Sequence, residues 1–319
     1  REIQPSRNFG IKPFGITDKT LEGDSKTSGD IGLDVKYGIT PSLTLDLSYN
    51  TDFSQVEADE ERVNLTRFPI FFPEKRDFFL ENANIFTFGD INKLDYRMAP
   101  NRYGREFFLF NSRNIGLENG NVIPIIGGGR LTGMIGDFEI GTLGMQTKGT
   151  ETSDPTNFGL FRLRKKILER SNIGLIMANK SSSGLSFNQS YGVDANLQFF
   201  RYLILYGYHA KTEGPSNNDD NSASRIAVAW RDHFLNTSFY YKRVGESFNP
   251  ELGFIRRTGI NEYYGTFGVH QQLSNQFIYE VNPYVEVNQV EKPTSEIETQ
   301  TISAGLDFTF SDGARMMNK

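Results

Sequence analysis

The sequence predicts an all-β fold: an antiparallel transmembrane β-barrel of about fourteen strands, interrupted by one long plug-like insertion. Three observations carry that expectation. Apolar and polar residues alternate with period two, as strands with one greasy and one wet face require. The connections between these strands alternate between short and long. Aromatic residues gather near the strand ends, where membrane–water interfaces select amphipathic rings.

Along the chain, Ile31, Leu33, Val35 and Tyr37 face away from Gly32, Asp34 and Lys36, and Leu43, Leu45, Leu47 and Tyr49 face away from Thr44, Asp46 and Ser48. Tyr191, Val193, Ala195, Leu197 and Phe199 alternate with Gly192, Asp194, Asn196 and Gln198. The pattern recurs from Phe277 to Val287, blurred only at Ile278 and Tyr284, and again where Ile302, Ala304, Leu306, Phe308 and Phe310 alternate with Ser303, Gly305, Asp307 and Thr309. Short joins are read at Thr40–Ser42, Gly136–Asp137, Arg170–Asn172, Phe200–Arg201, His233–Asn236 and Leu273–Gln276. Between them lie longer polar ones: Thr150–Asn157, Ser181–Leu185, Glu213–Ser222, Gly245–Gly259 and Gln289–Ile297. Outer-membrane barrels sort their loops this way, with tight periplasmic turns and longer extracellular loops. The expected girdle at the short-turn ends is Phe199, Tyr202, Trp230, Phe239, Phe277, Tyr279, Phe308 and Phe310; near the long-loop ends it is Tyr49, Phe158, Tyr191 and Tyr263.

Composition agrees. The 319 residues include 27 Phe, 14 Tyr, 31 Gly and 12 Pro, and 34 basic against 39 acidic side chains leave a net charge of -5. A mean hydropathy of -0.45 excludes a bundle of membrane helices, each of which needs about 20 mostly apolar residues in a row. Zero cysteines exclude disulfides, thiol nucleophiles and Cys-ligated metals. The mild acidity argues against nucleic acid as a partner.

One region breaks the meander. From Thr51 to Asn121 the alternation stops for far longer than the about 15 residues usual for an unstructured connection. The expected organisation is therefore first barrel strands in 1–50, an inserted plug or cap in 51–121, and the remaining strands in 122–319, with the barrel end truncated at SDGARMMNK. The segment DVKYGITPSLTLDLSYNTDFSQVEADEERVNLTRFPIFFPEKRDFFLEN, followed by FFLFNSRNIGL at Phe107–Leu117, resembles an uncharacterised family of Gram-negative outer-membrane barrels. In that family the barrel usually follows a periplasmic domain similar to family 9 carbohydrate-binding modules. The resemblance spans most of residues 9–135 and implies an outer-membrane location; contact with carbohydrate would come through that periplasmic domain, which is not recognised in this chain. Some members are labelled membrane-associated hydrolases.

An inward fold of the insertion would pack Phe68, Phe71, Phe72, Phe78, Phe79 and Phe86 as a small core. The candidate plug residues are Asp52, Glu57, Asp59, Glu60, Glu61, Arg62, Arg67, Glu74, Lys75, Arg76 and Asp77. Arg62, Arg67, Lys75 and Arg76 are expected to meet the wall carboxylates Asp34, Asp46 and Asp194. The rival placement is a cap over the barrel mouth. Asp52 to Glu61 supply oxygen ligands for a hard cation but lack the spacing and turn Gly of an EF-hand, so no metal or cofactor is expected, and loop 217–221 reads as solvated. The histidines His209, His233 and His270 are scattered, and His270 reads as a hydrogen-bonding residue on the face of Glu262, Tyr264 and Thr266. Gly127–Gly129 has no phosphate-loop pattern and is expected to mark a strand bend or a close approach of the plug. The leading functional reading is a plugged pore or solute-handling barrel, in which a glycan-related role is included. A structural partner of other envelope proteins and a membrane-associated hydrolase are the alternatives, with membrane lipid a partner in every case.

Overall fold

The structure is a computed structural model that describes residues 8–19, 27–50, 68–90, 106–118, 121–151, 153–183, 186–215, 219–273 and 275–317. Among them are fourteen long strands: β1 (Phe9–Lys19), β2 (Thr27–Thr40), β3 (Leu43–Tyr49), β4 (Ile125–Ile135), β5 (Phe138–Thr147), β6 (Thr156–Leu168), β7 (Ser171–Ser182), β8 (Phe187–Phe199), β9 (Leu203–Glu213), β10 (Ser222–Arg231), β11 (Leu235–Val244), β12 (Ile260–Val269), β13 (Ile278–Glu291) and β14 (Ile297–Phe310). Each pairs antiparallel with its neighbours in chain order, in one up-and-down sheet. The short strand Gln271–Gln272 continues β12 along β13 in the same register, and Arg315–Met316 folds back on β14. Among the described residues no pairing joins β1 to the far end of the sheet.

The sheet is polarised inside out. On β8, Val193 is 58% exposed while the neighbouring Asp194 is 6% exposed. The same inversion holds on β10 and β11, where Ile226, Val228 and Phe239 are exposed and Arg225 and Lys242 are buried. A soluble protein would leave that apolar face as one large unsatisfied patch. A lipid-facing barrel wall requires it, because lipid-facing and lumen-facing residues alternate along each strand. All but β3 have at least the about nine residues that a tilted spanning strand needs; β3 has 7.

Turn chemistry supports the loop sorting. Gly136 adopts φ 59 in the two-residue turn between β4 and β5, a conformation that glycine reaches without a Cβ penalty. Phe200 and Arg201 also take positive φ, between β8 and β9, with both side chains exposed. Asp232 closes the β10–β11 turn by accepting the Phe234 and Leu235 amides at 2.8 and 2.6 Å and the Trp230 indole at 2.8 Å.

The insertion lies against the covered face of the sheet. Its helical turn Asp77–Leu80 and the 3₁₀ turn Ala83–Phe86 bury Phe78, Phe79, Ile85 and Phe86, and the following Phe88 is 1% exposed. Glycines on the wall make the close approach possible. A Cβ on Gly192 would stand 2.5 Å from the Phe88 ring, and one on Gly141 would stand 2.6 Å from Phe86. The second half of the insertion adds Phe107, Leu109 and Ile115, and Phe107–Phe108 pairs with Phe254–Ile255 of the long β11–β12 connection. That connection folds over the insertion, with Phe248 5.4 Å from Phe107 between ring centroids and Asn111 N donating to Leu252 O at 2.7 Å.

Three expectations change here. Phe158, expected in the long-loop girdle, is buried on the covered face beside Leu160. The covered face of β6 is apolar at this level because it packs the insertion, so both faces of the strand carry large apolar residues. Among the six insertion phenylalanines expected in one core, Phe78, Phe79 and Phe86 are buried, whereas Phe68, Phe71 and Phe72 are half-buried near Arg256 and Arg257, Phe254, and Arg113. The glycines at 127–129 accommodate the neighbouring strands β3 and β5 rather than the insertion, and a bulge falls between Ile125 and Gly127.

Candidate functional site

The register of the wall sets the central feature. Tyr208, Arg225, Lys242 and Glu262 stand directly opposite one another on β9, β10, β11 and β12, all pointing to the covered face. Two cations directly opposed across a strand pair repel, so Arg225 beside Lys242 needs an anion between them. Asp90 of the insertion supplies it. Its Oδ1 accepts from Arg225 at 2.9 Å and from the Tyr208 hydroxyl at 3.0 Å, while its Oδ2 pairs with Lys242 at 3.2 Å. Lys242 also pairs with Glu262 at 2.6 Å, and Tyr240 donates to Glu262 at 2.9 Å. The Arg225 guanidinium lies 4.0 Å from the Tyr240 ring centroid, and Tyr240 stacks on Tyr264 at 4.9 Å. Glu106, from the second half of the insertion, pairs with Arg256 at 3.0 Å and lies 3.8 Å from Lys242.

A second anchor is Arg130 on β4. Its guanidinium pairs with Asp46 at 2.8 Å, donates to Phe78 O at 2.6 Å and to Glu81 O, and lies over the Phe78 ring. A third holds the insertion's two halves together. Arg76 pairs with Glu74 at 2.7 Å and donates to the Ser112 and Ile115 carbonyls, while the Ser112 hydroxyl donates to Glu74 at 2.7 Å. By contrast, Lys12–Asp77 and Lys36–Glu81, from β1 and β2 to the insertion, are well exposed. Exposed pairs of this kind contribute about 0–1 kcal/mol, so among the described residues the insertion is held firmly at β4 and at β9–β12 and more lightly at the sheet's first two strands. Along this margin runs a cavity of about 270 Å³, lined by the charged Lys12, Lys36, Arg130, Asp34, Asp46, Asp77 and Glu81 together with the apolar Ile11, Val35, Leu47 and Phe78.

Burial alone would raise the Asp90 carboxyl, but the Lys242 and Arg225 charges and the Tyr208 hydrogen bond outweigh it and hold its pKa below the ordinary carboxylate value. Glu74 is lowered in the same way, burial opposing and Arg76 prevailing. A carboxylate with a depressed folded pKa contributes stability above its unfolded pKa, about 4, and loses it as pH falls through the folded value. The anchorage is therefore expected to persist at pH 5 and to fail in stronger acid. Pepsin cleavage within 68–90, expressed at each pH relative to an unfolded substrate and followed as pH falls below about 4, measures this; equal relative cleavage at pH 5 would contradict it.

The ion pairs of the described residues differ from the expected ones. Asp46 and Asp194 find their cations on the wall, Arg130 and Arg162, the latter at 2.6 Å across Gly174. Asp34 accepts the Ser48 hydroxyl at 2.7 Å. Arg76 serves Glu74, and the Lys75 amide donates to Glu74. Among the described residues, the wall cations Arg130, Arg225 and Lys242 reach acceptors of the insertion. The candidates Asp52, Glu57, Asp59, Glu60, Glu61, Arg62 and Arg67 lie outside the described residues. In the 217–221 loop, Asp220 accepts from Arg243 at 2.7 Å and Asn221 donates to Thr212 O at 2.8 Å. His270 is buried with its Nδ1 against Glu280 and Asn282 on the covered face, whereas His209 lies on the exposed face against Ser224. Asp90, Glu106, Arg130, Arg162, Arg225 and Lys242 were missed by sequence reasoning; the wall members could have been found as the charged residues on the polar side of each alternation.

Residues 11–92 match the profile of a family described as a domain of unknown function, DUF5916. This stretch falls within the region that carries the resemblance to uncharacterised outer-membrane barrels. No curated protein matches the chain. Among solved structures, the chain is similar to Pseudomonas aeruginosa OpdL (9% identity, TM-score 0.36, 99% of this chain and 86% of that one). It is also similar to Pseudomonas aeruginosa OccK8 (OprE) (10%, 0.39, 96% and 79%) and OccK10 (OpdN) (10%, 0.32, 98% and 96%).

Proposed function

We propose that this chain forms the wall of an outer-membrane β-barrel that passes hydrophilic solutes, with the insertion lodged in the lumen as a plug. The observation that carries the reading is the wall's own charge row. Arg225 opposite Lys242 is a like-charge pair on the covered face that the insertion's Asp90 neutralises, so wall and insertion are built for one another. The apolar exposed face supports the lipid setting. The cavity beside the margin of the insertion at β1–β4 supports a restricted passage, in which seven charged side chains give a solute polar partners beside apolar ones. The family's association with a carbohydrate-binding-like periplasmic domain makes neutral oligosaccharides the first solutes to test.

Reconstitution into planar bilayers tests this. The wild-type barrel is expected to insert and conduct in small steps, and a variant lacking 68–90 to conduct in larger ones. Insertion without conductance in both proteins would refute the pore and leave a structural role.

A further inference from the structure

We propose that a groove on the exposed face of β6–β9 binds one anionic glycerophospholipid of the short-turn leaflet, an acyl chain lying in the groove and the phosphate at Lys165. The inference rests on the membrane reading above and assigns a site which that reading does not contain. The groove has a volume of about 670 Å³ and crosses the wall from Lys165 and Phe138 to His209. It spans three inter-strand steps, about 14 Å at about 4.8 Å each.

Its cause is local. Ala195 and Gly207 are directly opposed on β8 and β9, and they are flanked in register by Ile173 on β7 and Ile226 on β10. Two minimal side chains between two large ones leave a trough. Leu175 and Val193 continue its wall. Elsewhere the exposed face carries bulky residues such as Phe239 and Phe267.

The charge at one end selects the occupant. Lys165, three residues before the end of β6, holds its ammonium 5.3 Å from the Phe138 ring centroid. The adjoining turns carry Arg170 and Arg201 with Asp137 and Glu169, so the net positive charge at this end is that of Lys165 itself. A lysine at the end of an apolar trough can keep its stem in the apolar layer and its charge at the interface, where a lipid phosphate lies. Anionic lipid headgroups attract such basic positions. Short turns mark the periplasmic side, so the occupant comes from the leaflet that faces them.

Native mass spectrometry of the delipidated barrel in detergent tests the site, with palmitoyl-oleoyl phosphatidylglycerol as probe and the diacylglycerol of the same chains as control. The wild type is expected to retain one phosphatidylglycerol after activation strips other adducts, at least tenfold more than diacylglycerol. Lys165→Glu should abolish that preference, and Ala195→Leu, which fills the trough, should abolish the adduct. Equal retention of the two probes, an adduct that survives Ala195→Leu, or a second copy of the chain in place of lipid would overturn the proposal. A barrel that conducts in bilayers yet retains no lipid fails only here; one that does not insert fails the membrane reading itself.

Discussion

Asp90→Ala is expected to lower the thermal stability of the detergent-solubilised protein by about 3–5 kcal/mol, the usual cost of removing one partner from a buried ion pair. Both neighbours of the deleted carboxylate are wall cations. Lys242 keeps Glu262, but Arg225 loses its 2.9 Å partner while remaining opposite Lys242 in register. The strain thus falls on the wall as well as on the insertion. Asp90→Asn should behave similarly, since it preserves shape and an acceptor for Tyr208 but not the charge. Acetate, entering as a free carboxylate, should restore part of the lost stability to Asp90→Ala and none to wild type. The contrast is Asp77→Ala, whose exposed partner Lys12 remains in solvent and whose loss should stay under about 1 kcal/mol. The temperature at which the β circular-dichroism signal collapses separates these cases. Equal midpoints for Asp90→Ala and Asp77→Ala would show that the charge row does not hold the insertion.

Much of the wall was readable because lipid on one side and polar groups on the other enforce a strict period of two, as in Val193 beside Asp194. The turn at Gly136 was readable for the same local reason. The reading failed where the covered face is not wet. On β6, Phe158 and Leu160 meet the insertion while Phe161 and Leu163 meet the exterior, and a strand apolar on both sides carries no period to say which residue points where. Ion pairing failed for a different reason. Glu74 and Arg76 are two residues apart and close on each other without help from the wall, a local choice that a guess at long-range complementarity overlooks. Asp90 sits in a segment with no periodicity, so nothing local marks it; its role arises from a row of wall residues brought into register by four separate strands. The aromatic expectation was mixed in an instructive way. Phe277 and Tyr279, expected in the short-turn girdle, are exposed near a short-turn end.

Arg130→Ala should produce the largest change in conductance. The Arg130 side chain is 1% exposed and borders two spaces, the cavity of about 270 Å³ beside the insertion and a smaller one of about 100 Å³ between the insertion and β5. Truncating it removes the partition between them. It also strips Asp46 of its cation and the Phe78 and Glu81 carbonyls of their donor, at about 1–3 kcal/mol for each buried group left unsatisfied. Conductance and stability should therefore move together: larger current steps in planar bilayers, with a lower melting temperature. Asp46→Asn separates the two effects, because it breaks the ion pair yet leaves Arg130 in place as a wall between the cavities and a donor to both carbonyls. That variant should lose stability without a matching gain in current. If Arg130→Ala and Asp46→Asn conduct alike, solutes do not pass along the margin of the insertion at β1–β4, and the passage must be sought along the more firmly anchored side at β9–β12, where release of Asp90 would have to open it.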